Sequence, residues 1–214
     1  MGNGTFNYFK FIGEIRIKQI TENLETSLAT LLTRKSFDVI TISELADNAK
    51  IARRTFYLYY KDKHEFILSV IDGHLQKMKE ASLKDRLNLS KSTQIPKNLK
   101  TILYSSEAFF YVATYVDKHR LILSSLMSKN STHVFYDQLY RIMIKELHER
   151  IKLFNGKYID SIPTNYIDQY YIGTIIGIFK VWLYMEQPEP VEIFLERLEK
   201  FQTNAPYEFW CFDS

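Results

Sequence analysis

A chain of 214 residues is long enough for one large domain or two small ones, and 46% hydrophobic with 25% charged residues excludes a disordered or collagen-like chain. The single cysteine, Cys211, excludes an internal disulfide framework and fits a reducing compartment. A net charge of +3 is too small to attract nucleic acid as an average field, so any such attraction has to be local.

The opening stretch, "MGNGTFNYFKFIGEIRIK", lacks the apolar core and cleavage site of a secretory leader, and Phe6 stands where a myristoylation signal needs Ser or Thr. Residues 1–12 are read as an N-terminal arm. Ile20, Leu24, Leu28, Leu31 and Leu32 then recur at helical spacing, which predicts a first amphipathic helix ended by "RKSFD" at 34–38. Thr41 and Glu44 form an S/T-x-x-E capping box, and Ile40 and Leu45 occupy the staple positions around it, so a second helix starts at Thr41. Leu45, Ala46 and Ala49 make its small buried face. After the turn "AKI" a short third helix places Phe56 and Tyr60 toward the core and leaves Arg53, Arg54, Thr55 and Leu58 outside. Residues 13–62 are expected to form one domain.

From Lys61 to Leu87 a long helix follows, with Leu68, Ile71, Leu75 and Met78 as its apolar line, closed by the polar linker "NLSKSTQIP" at 88–96. "SKNST" (128–132) breaks the next helical region. Ile142, Leu147, Ile151 and Phe154 line a further helix, and "NGKYIDSIP" (155–163) is the clearest loop of the second half. Pro163 and Pro190 each suit the first turn of a following helix, the last of which carries Val191, Phe194, Leu195 and Leu198. "YYIGTIIGIF" is about half the length a membrane-spanning helix requires, and Lys180 follows it. The reading is an all-α, soluble, cytoplasmic protein of about nine helices, without repeats.

A capped helix, a turn of about three residues and a second short helix make a helix-turn-helix signature. In DNA-binding versions the second helix enters the major groove, and arginine matches guanine O6 and N7 with two parallel hydrogen bonds. Arg53 and Arg54 are placed for that. Tyr59, Lys61 and Lys63 would grip phosphates, together with free N–H groups at the Thr41 helix start. From Lys50 to Lys63 five basic residues (Lys50, Arg53, Arg54, Lys61, Lys63) face one acid, Asp62, a local +4 against +3 for the whole chain. The candidate DNA contacts are Thr41, Ser43, Arg53, Arg54, Thr55, Tyr57, Tyr59, Lys61 and Lys63. Charge and spacing alone leave two readings open, a DNA-reading helix or a solvated face on a helix-turn-helix that binds no DNA.

"FDVITISELADNAKIARRTFYLYYKDKHEF" resembles the DNA-binding domain of the TetR family of bacterial transcription regulators, over roughly Ile15 to Val70. The resemblance is dense at Ile42, Leu45, Ala46, Ala49, Phe56, Tyr57, Tyr60, Lys61, Lys63 and Phe66. Lys50 replaces the family's usual turn glycine, so either a positive φ there costs roughly 1 kcal/mol or the turn differs slightly. Ala52 replaces a frequent serine cap, and Leu58 a position that is often polar. The resemblance implies a homodimer on a palindromic double-stranded operator, more often a repressor, released by a small-molecule or protein effector through the long helix. It also implies that residues 63–205 form a helical regulatory and dimerisation domain, followed by a tail at 206–214.

"YYIGTIIGIFKVWLYMEQPEPVEIFLERLEKF" resembles the last two helices of a branch that includes regulators of dihydroxyacetone-kinase operons. Gly173 and Gly177, four apart beside Ile176 and Lys180, suit a close backbone approach, either by a second copy or within the chain. The dimer candidates are Gly173, Ile176, Gly177, Lys180, Phe194 and Leu198. The pocket candidates are Phe109, Tyr115, His119, Phe135, Tyr136 and Tyr140, with Glu107, Arg120 and His133 to add polarity.

The five histidines show no i, i+4 pair, so a metal site would have to assemble across helices from His119, His133, His148 or Cys211, and none is expected. The tail aromatics Phe209, Trp210 and Phe212 are expected to fold back over apolar surface. No nucleophile elbow, phosphate loop or dinucleotide fingerprint is present, so neither an enzyme nor a cofactor is expected. The alternative from another class is a helical ligand- or protein-binding module whose helix-turn-helix does not bind DNA.

Overall fold

The computed structural model describes residues 3–91 and 106–204, and Pro96, Cys211 and the aromatic tail lie outside the described residues. All regular structure among the described residues is helical. The helices are α1 (Asn3–Leu32), α2 (Ile42–Asn48), α3 (Arg53–Tyr57), α4 (Lys63–Lys91), α5 (Phe110–Lys118), α6 (Arg120–Leu126), α7 (Val134–Leu153), α8 (Thr164–Leu183) and α9 (Val191–Thr203). Short 3-10 turns at Phe37–Val39 and Ser106–Phe109 precede α2 and α5. The chain forms two compact units, one from its start to Gly73 with Leu121–His133, the other from His74–Arg120 with Val134 onward.

In the first unit, Leu24, Leu28, Leu32, Phe37, Ile40, Leu45, Phe56 and Phe66 form the core. Two serines satisfy carbonyls inside it. Ser27 donates to Leu45 O at 2.9 Å, and Ser125 of α6 donates to Ala29 O at 3.1 Å. The "SKNST" break has a local purpose there: Asn130 donates to Leu32 O at 2.8 Å, covering an orphan carbonyl at the end of α1, and accepts from Phe37 N–H at 2.8 Å. α1 is longer than its apolar stripe predicts, because helical backbone runs back to Asn3 through most of the expected arm. In the first part of α4 the buried line is Phe66, Ile67, Val70 and Ile71, while Leu68 is 41% exposed and leaves the predicted stripe.

In the second unit, α8 and α9 close on an aromatic cluster. Trp182 stacks on Phe194 at 4.1 Å between centroids and 10° between planes, Phe179 meets both rings edge-on, and Phe109 packs on Phe179. Arg120 lies over the Trp182 ring at 4.4 Å and donates to Trp182 O, and the indole N–H donates to Glu189 O. Pro163 and Pro190 stand at the N-caps of α8 and α9, one position earlier than their sequence context predicts.

Two fully or nearly buried charges organise the start of α5. The Asp85 carboxylate accepts from Tyr111 N–H (2.8 Å) and Val112 N–H (3.1 Å), donors that the new helix cannot satisfy itself. Burial nevertheless pushes its carboxyl up to about 7, against the pull of those two N–H groups and of Arg150. Arg150 donates to Glu146, to Ala108 O at 2.8 Å and to Ser82, with its guanidinium over the Phe109 ring. No sequence pattern marked either residue. Asp85 lies in a helix of ordinary polarity, and Arg150 reads as one more surface charge in "HERIKL".

Candidate nucleic-acid interface

The helix start at Thr41 is a complete capping box. Its hydroxyl accepts the Glu44 N–H at 3.2 Å, and the Glu44 carboxylate accepts the Thr41 N–H at 3.0 Å. Glu44 also pairs with the Lys35 ammonium, and that bond, followed by those from Thr41, holds its carboxyl down at about 2. The Thr41 hydroxyl is thus engaged within the chain, while Ser43 is half-buried beside it.

α2 ends in a Schellman motif. Ile51 N–H reaches Ala46 O at 3.0 Å, and Lys50 N–H reaches Asp47 O at 3.1 Å. That geometry needs a left-handed residue, and Lys50 supplies it with φ 56°. The missing glycine has therefore not changed the turn; the chain tolerates the strain. Ala52 is the N-cap of α3, without any side-chain cap bond.

α3 is held by Phe56, fully buried against Tyr57, Tyr60 and Phe66, with centroids 5.5–5.8 Å apart. On its outer side Arg53 and Arg54 are exposed, and neither forms an ion pair among the described residues. Leu58 is 71% and Tyr57 50% exposed, Tyr59 and Lys61 are exposed as well, and Thr55 is half-buried. Lys50 is exposed at the turn beside them, a cation that the candidate contact set omits.

Lys63 is placed otherwise than its motif implies. Its ammonium donates to the carbonyls of Phe37, Asp38 and Ile40 at 3.0, 2.7 and 2.8 Å, so all three of its protons are engaged inside the unit. It is set apart from the free cations Lys50, Arg53, Arg54 and Lys61.

The second unit separates the six pocket candidates. Phe109 and Phe135 are core. Tyr115 is hydrogen-bonded to His74 at 2.8 Å, and its ring lies 4.4 Å from that of His119. Tyr136 and Tyr140 stack along α7, and Tyr140 donates to Gln169 at 2.5 Å. None of the six lines the apolar groove of about 690 Å³ found between the end of α7, the 155–163 connection and the start of α8. That groove is walled by Leu147, Ile151, Tyr158, Ile159, Ile162, Tyr166, Ile167 and Tyr170, with Lys157 its one charged lining residue. Asp168, buried behind it, accepts from Tyr158 OH at 2.6 Å and is bonded to His148 Nε2 at 2.8 Å, which ties the connection to α8. Burial and the Asp168 bond push the Tyr158 phenol well above its ordinary range. The aliphatic residues of "NGKYIDSIP" were its only sequence signal.

The dimer candidates divide. Ile176, Phe194 and Leu198 are buried within the unit, so their apolar character serves its own core. Gly173, Gly177 and Lys180 are not. A Cβ at Gly177 would meet nothing within 4 Å, and one at Gly173 only the Gln169 side-chain nitrogen at 3.7 Å. Among the described residues neither glycine is thus closed in by a packed neighbour of its own unit. They lie along an α8 face where Tyr166, Tyr170 and Val181 are each about two-thirds exposed. Among the described residues no three of His, Cys, Asp and Glu come together as metal ligands, and no helix is long and apolar enough to cross a membrane.

A capped helix, a Schellman turn and a short arginine-bearing helix, followed by a second helical unit, define a helix-turn-helix regulator class. Comparison with known proteins agrees. The family model described as "Bacterial regulatory proteins, tetR family" matches residues 27–70, and that described as "Transcriptional regulator C-terminal region" matches residues 105–204. The HTH-type transcriptional regulator YxbF of Bacillus subtilis (strain 168) is 25% identical over 130 residues, 58% of this chain but 31% of that protein, so the match spans about a third of its length. The regulator YwcC of the same organism is 24% identical over 208 residues, 89% of this chain and 88% of its own. The crystal structure of a TetR transcriptional regulator from Streptococcus agalactiae 2603V superposes with a TM-score of 0.56 at 16% identity, covering 90% of this chain and 98% of that one. The chain belongs to the TetR family of bacterial transcriptional regulators, and it is a DNA-binding transcriptional regulator.

Proposed function

We propose that this regulator is a cytoplasmic homodimeric repressor that reads a palindromic operator with α3 and is released by an effector. The observation that carries the reading is the pair Arg53 and Arg54, exposed and without carboxylate partners at the start of α3. Each guanidinium suits one guanine edge. Lys50, Tyr57, Tyr59 and Lys61 surround them as phosphate contacts, with Ser43 and Thr55 at the margin, while Thr41 and Lys63 act from within the fold. Two copies set about 34–36 Å apart would read half-sites one helical turn apart.

The open α8 face supports the dimer. Gly173 and Gly177 let a second backbone approach closely, and Tyr166, Tyr170 and Val181 would be removed from water by it. The groove beside Tyr158 is large enough for an effector, and its lining favours a largely apolar one.

Fluorescence anisotropy with the upstream region of its own gene, against a random duplex of equal length, tests the reading. Wild type should prefer the upstream duplex. Arg53→Ala and Arg54→Ala should each remove about 1–3 kcal/mol of that preference. Lys61→Ala should weaken both duplexes alike and lower the salt slope by about 0.9. A folded dimer with no preference for any genomic fragment would instead favour a helical binding module that has given up DNA.

A further inference from the structure

Lys63 is the first residue of α4, and its ammonium is the meeting point of three carbonyl groups. Phe37 O, Asp38 O and Ile40 O accept from Nζ at 3.0, 2.7 and 2.8 Å. A lysine has three N–H donors, so none remains for a phosphate. The ammonium also lies 5.0 Å from the centroid of the buried Phe37 ring, whose plane meets the neighbouring His64 ring edge-on at 5.3 Å.

The acceptors are not arbitrary carbonyls. They belong to the 3-10 turn and to the residue just before Thr41, so they fix the entry to α2. The donor belongs to a helix start that is itself fixed. Asp62 accepts from His64 N–H and Glu65 N–H, and Glu65 accepts from Lys61 N–H at 2.6 Å. One side chain therefore joins the entrance of α2 to the entrance of α4, and the turn and α3 lie between those points in the chain. A planar guanidinium at this position could not aim three protons at three converging oxygens.

We propose that Lys63 is a positioning residue for DNA reading: by joining the Phe37–Ile40 carbonyls to the first turn of α4 it holds α3 in one orientation, so that Arg53 and Arg54 reach base edges. The inference rests on the DNA-reading role of α3. A phosphate contact would contribute mainly charge, weakening all duplexes alike when removed. A positioning residue contributes geometry, and its loss falls on the specific complex.

The test has one arm with DNA and one without. In 15N spectra of the free full-length protein, the Lys63 ammonium, assigned by its loss in Lys63→Met, should give a slowly exchanging signal that keeps its position in the operator complex. In binding, Lys63→Met and Lys63→Arg should lower the ratio of operator to random-duplex affinity about tenfold, within the range for one bidentate base contact. The salt slope on random duplex should not change. A slope lower by about 0.9 with the ratio intact would make Lys63 a phosphate contact and overturn the proposal. So would a wild-type ratio in Lys63→Arg, which also carries the test if Lys63→Met does not fold. Wild type lacking any duplex preference would defeat the DNA reading of α3, whereas a rapidly exchanging Lys63 ammonium would defeat the positioning role alone.

Discussion

The Trp182 indole and the Phe194 ring lie parallel, 4.1 Å apart, joining α8 to α9 within one chain. This stack decides what the last helix does. Phe194, a dimer candidate by its apolar spacing, has its ring inside the unit. Replacing it should therefore act on folding itself: Phe194→Ala is expected to destabilise the chain by about 3–5 kcal/mol, measured by urea denaturation extrapolated over protein concentration. A loss confined to dimer dissociation would contradict the stack.

Gly177 makes the opposite case. Among the described residues a Cβ there would meet nothing within 4 Å, so a large side chain is expected to be tolerated by the single copy and, with α8 as the dimer face proposed above, to obstruct a second one. Gly177→Trp is expected to keep the wild-type helical circular dichroism while sedimentation velocity shifts from dimer to monomer. A dimer that persists unchanged would place the contact on another face.

Lys50 occupies a left-handed conformation, φ 56°, that disfavours a side chain by about 1–2 kcal/mol. Glycine would relieve that strain while giving up about 0.5–1 kcal/mol of chain entropy. Lys50→Gly should then stabilise the first unit by about 0.5–1 kcal/mol in denaturant titration, and Lys50→Ala, which keeps the strain, should not.

Asp85 and Glu44 tilt the stability curve in opposite directions. With its folded carboxyl raised to about 7, Asp85 binds more protons folded than unfolded between about pH 4 and 7. Its contribution thus falls as pH rises through that window, by up to about 1.4 kcal/mol per unit. Asp85→Asn should remove this slope from the pH dependence of the denaturation midpoint. Glu44 is depressed from 4.5 to about 2, so its contribution is present above 4.5 and lost as pH falls toward 2. Lys35→Met, which deletes its first partner, should move that acid loss to higher pH.

The helix-turn-helix was legible in advance because its determinants are close in sequence. Thr41 and Glu44 are three residues apart, and the Schellman turn needs only residues 46–51. Phe56 and Tyr60 follow helical spacing onto one face, as do Arg53 and Arg54 onto the other. The second unit was less legible. Phe135, Tyr136 and Tyr140 share a helix and an aromatic character, yet one is core and two stack on the outer part of α7, since periodicity marks an apolar face without saying what covers it.

The sequence by itself determined the all-helical class, the capped start of α2 and the concentration of charge around α3, because each depends on backbone and side-chain preferences over a few neighbouring residues. Only the tertiary structure decided that Lys63 binds carbonyls 23–26 residues away, that Phe194 stacks on Trp182, and that Gly177 looks outward. Those outcomes follow from which surfaces meet once the helices pack. A charge or a ring carries no mark in the chain of the distant group that will satisfy it.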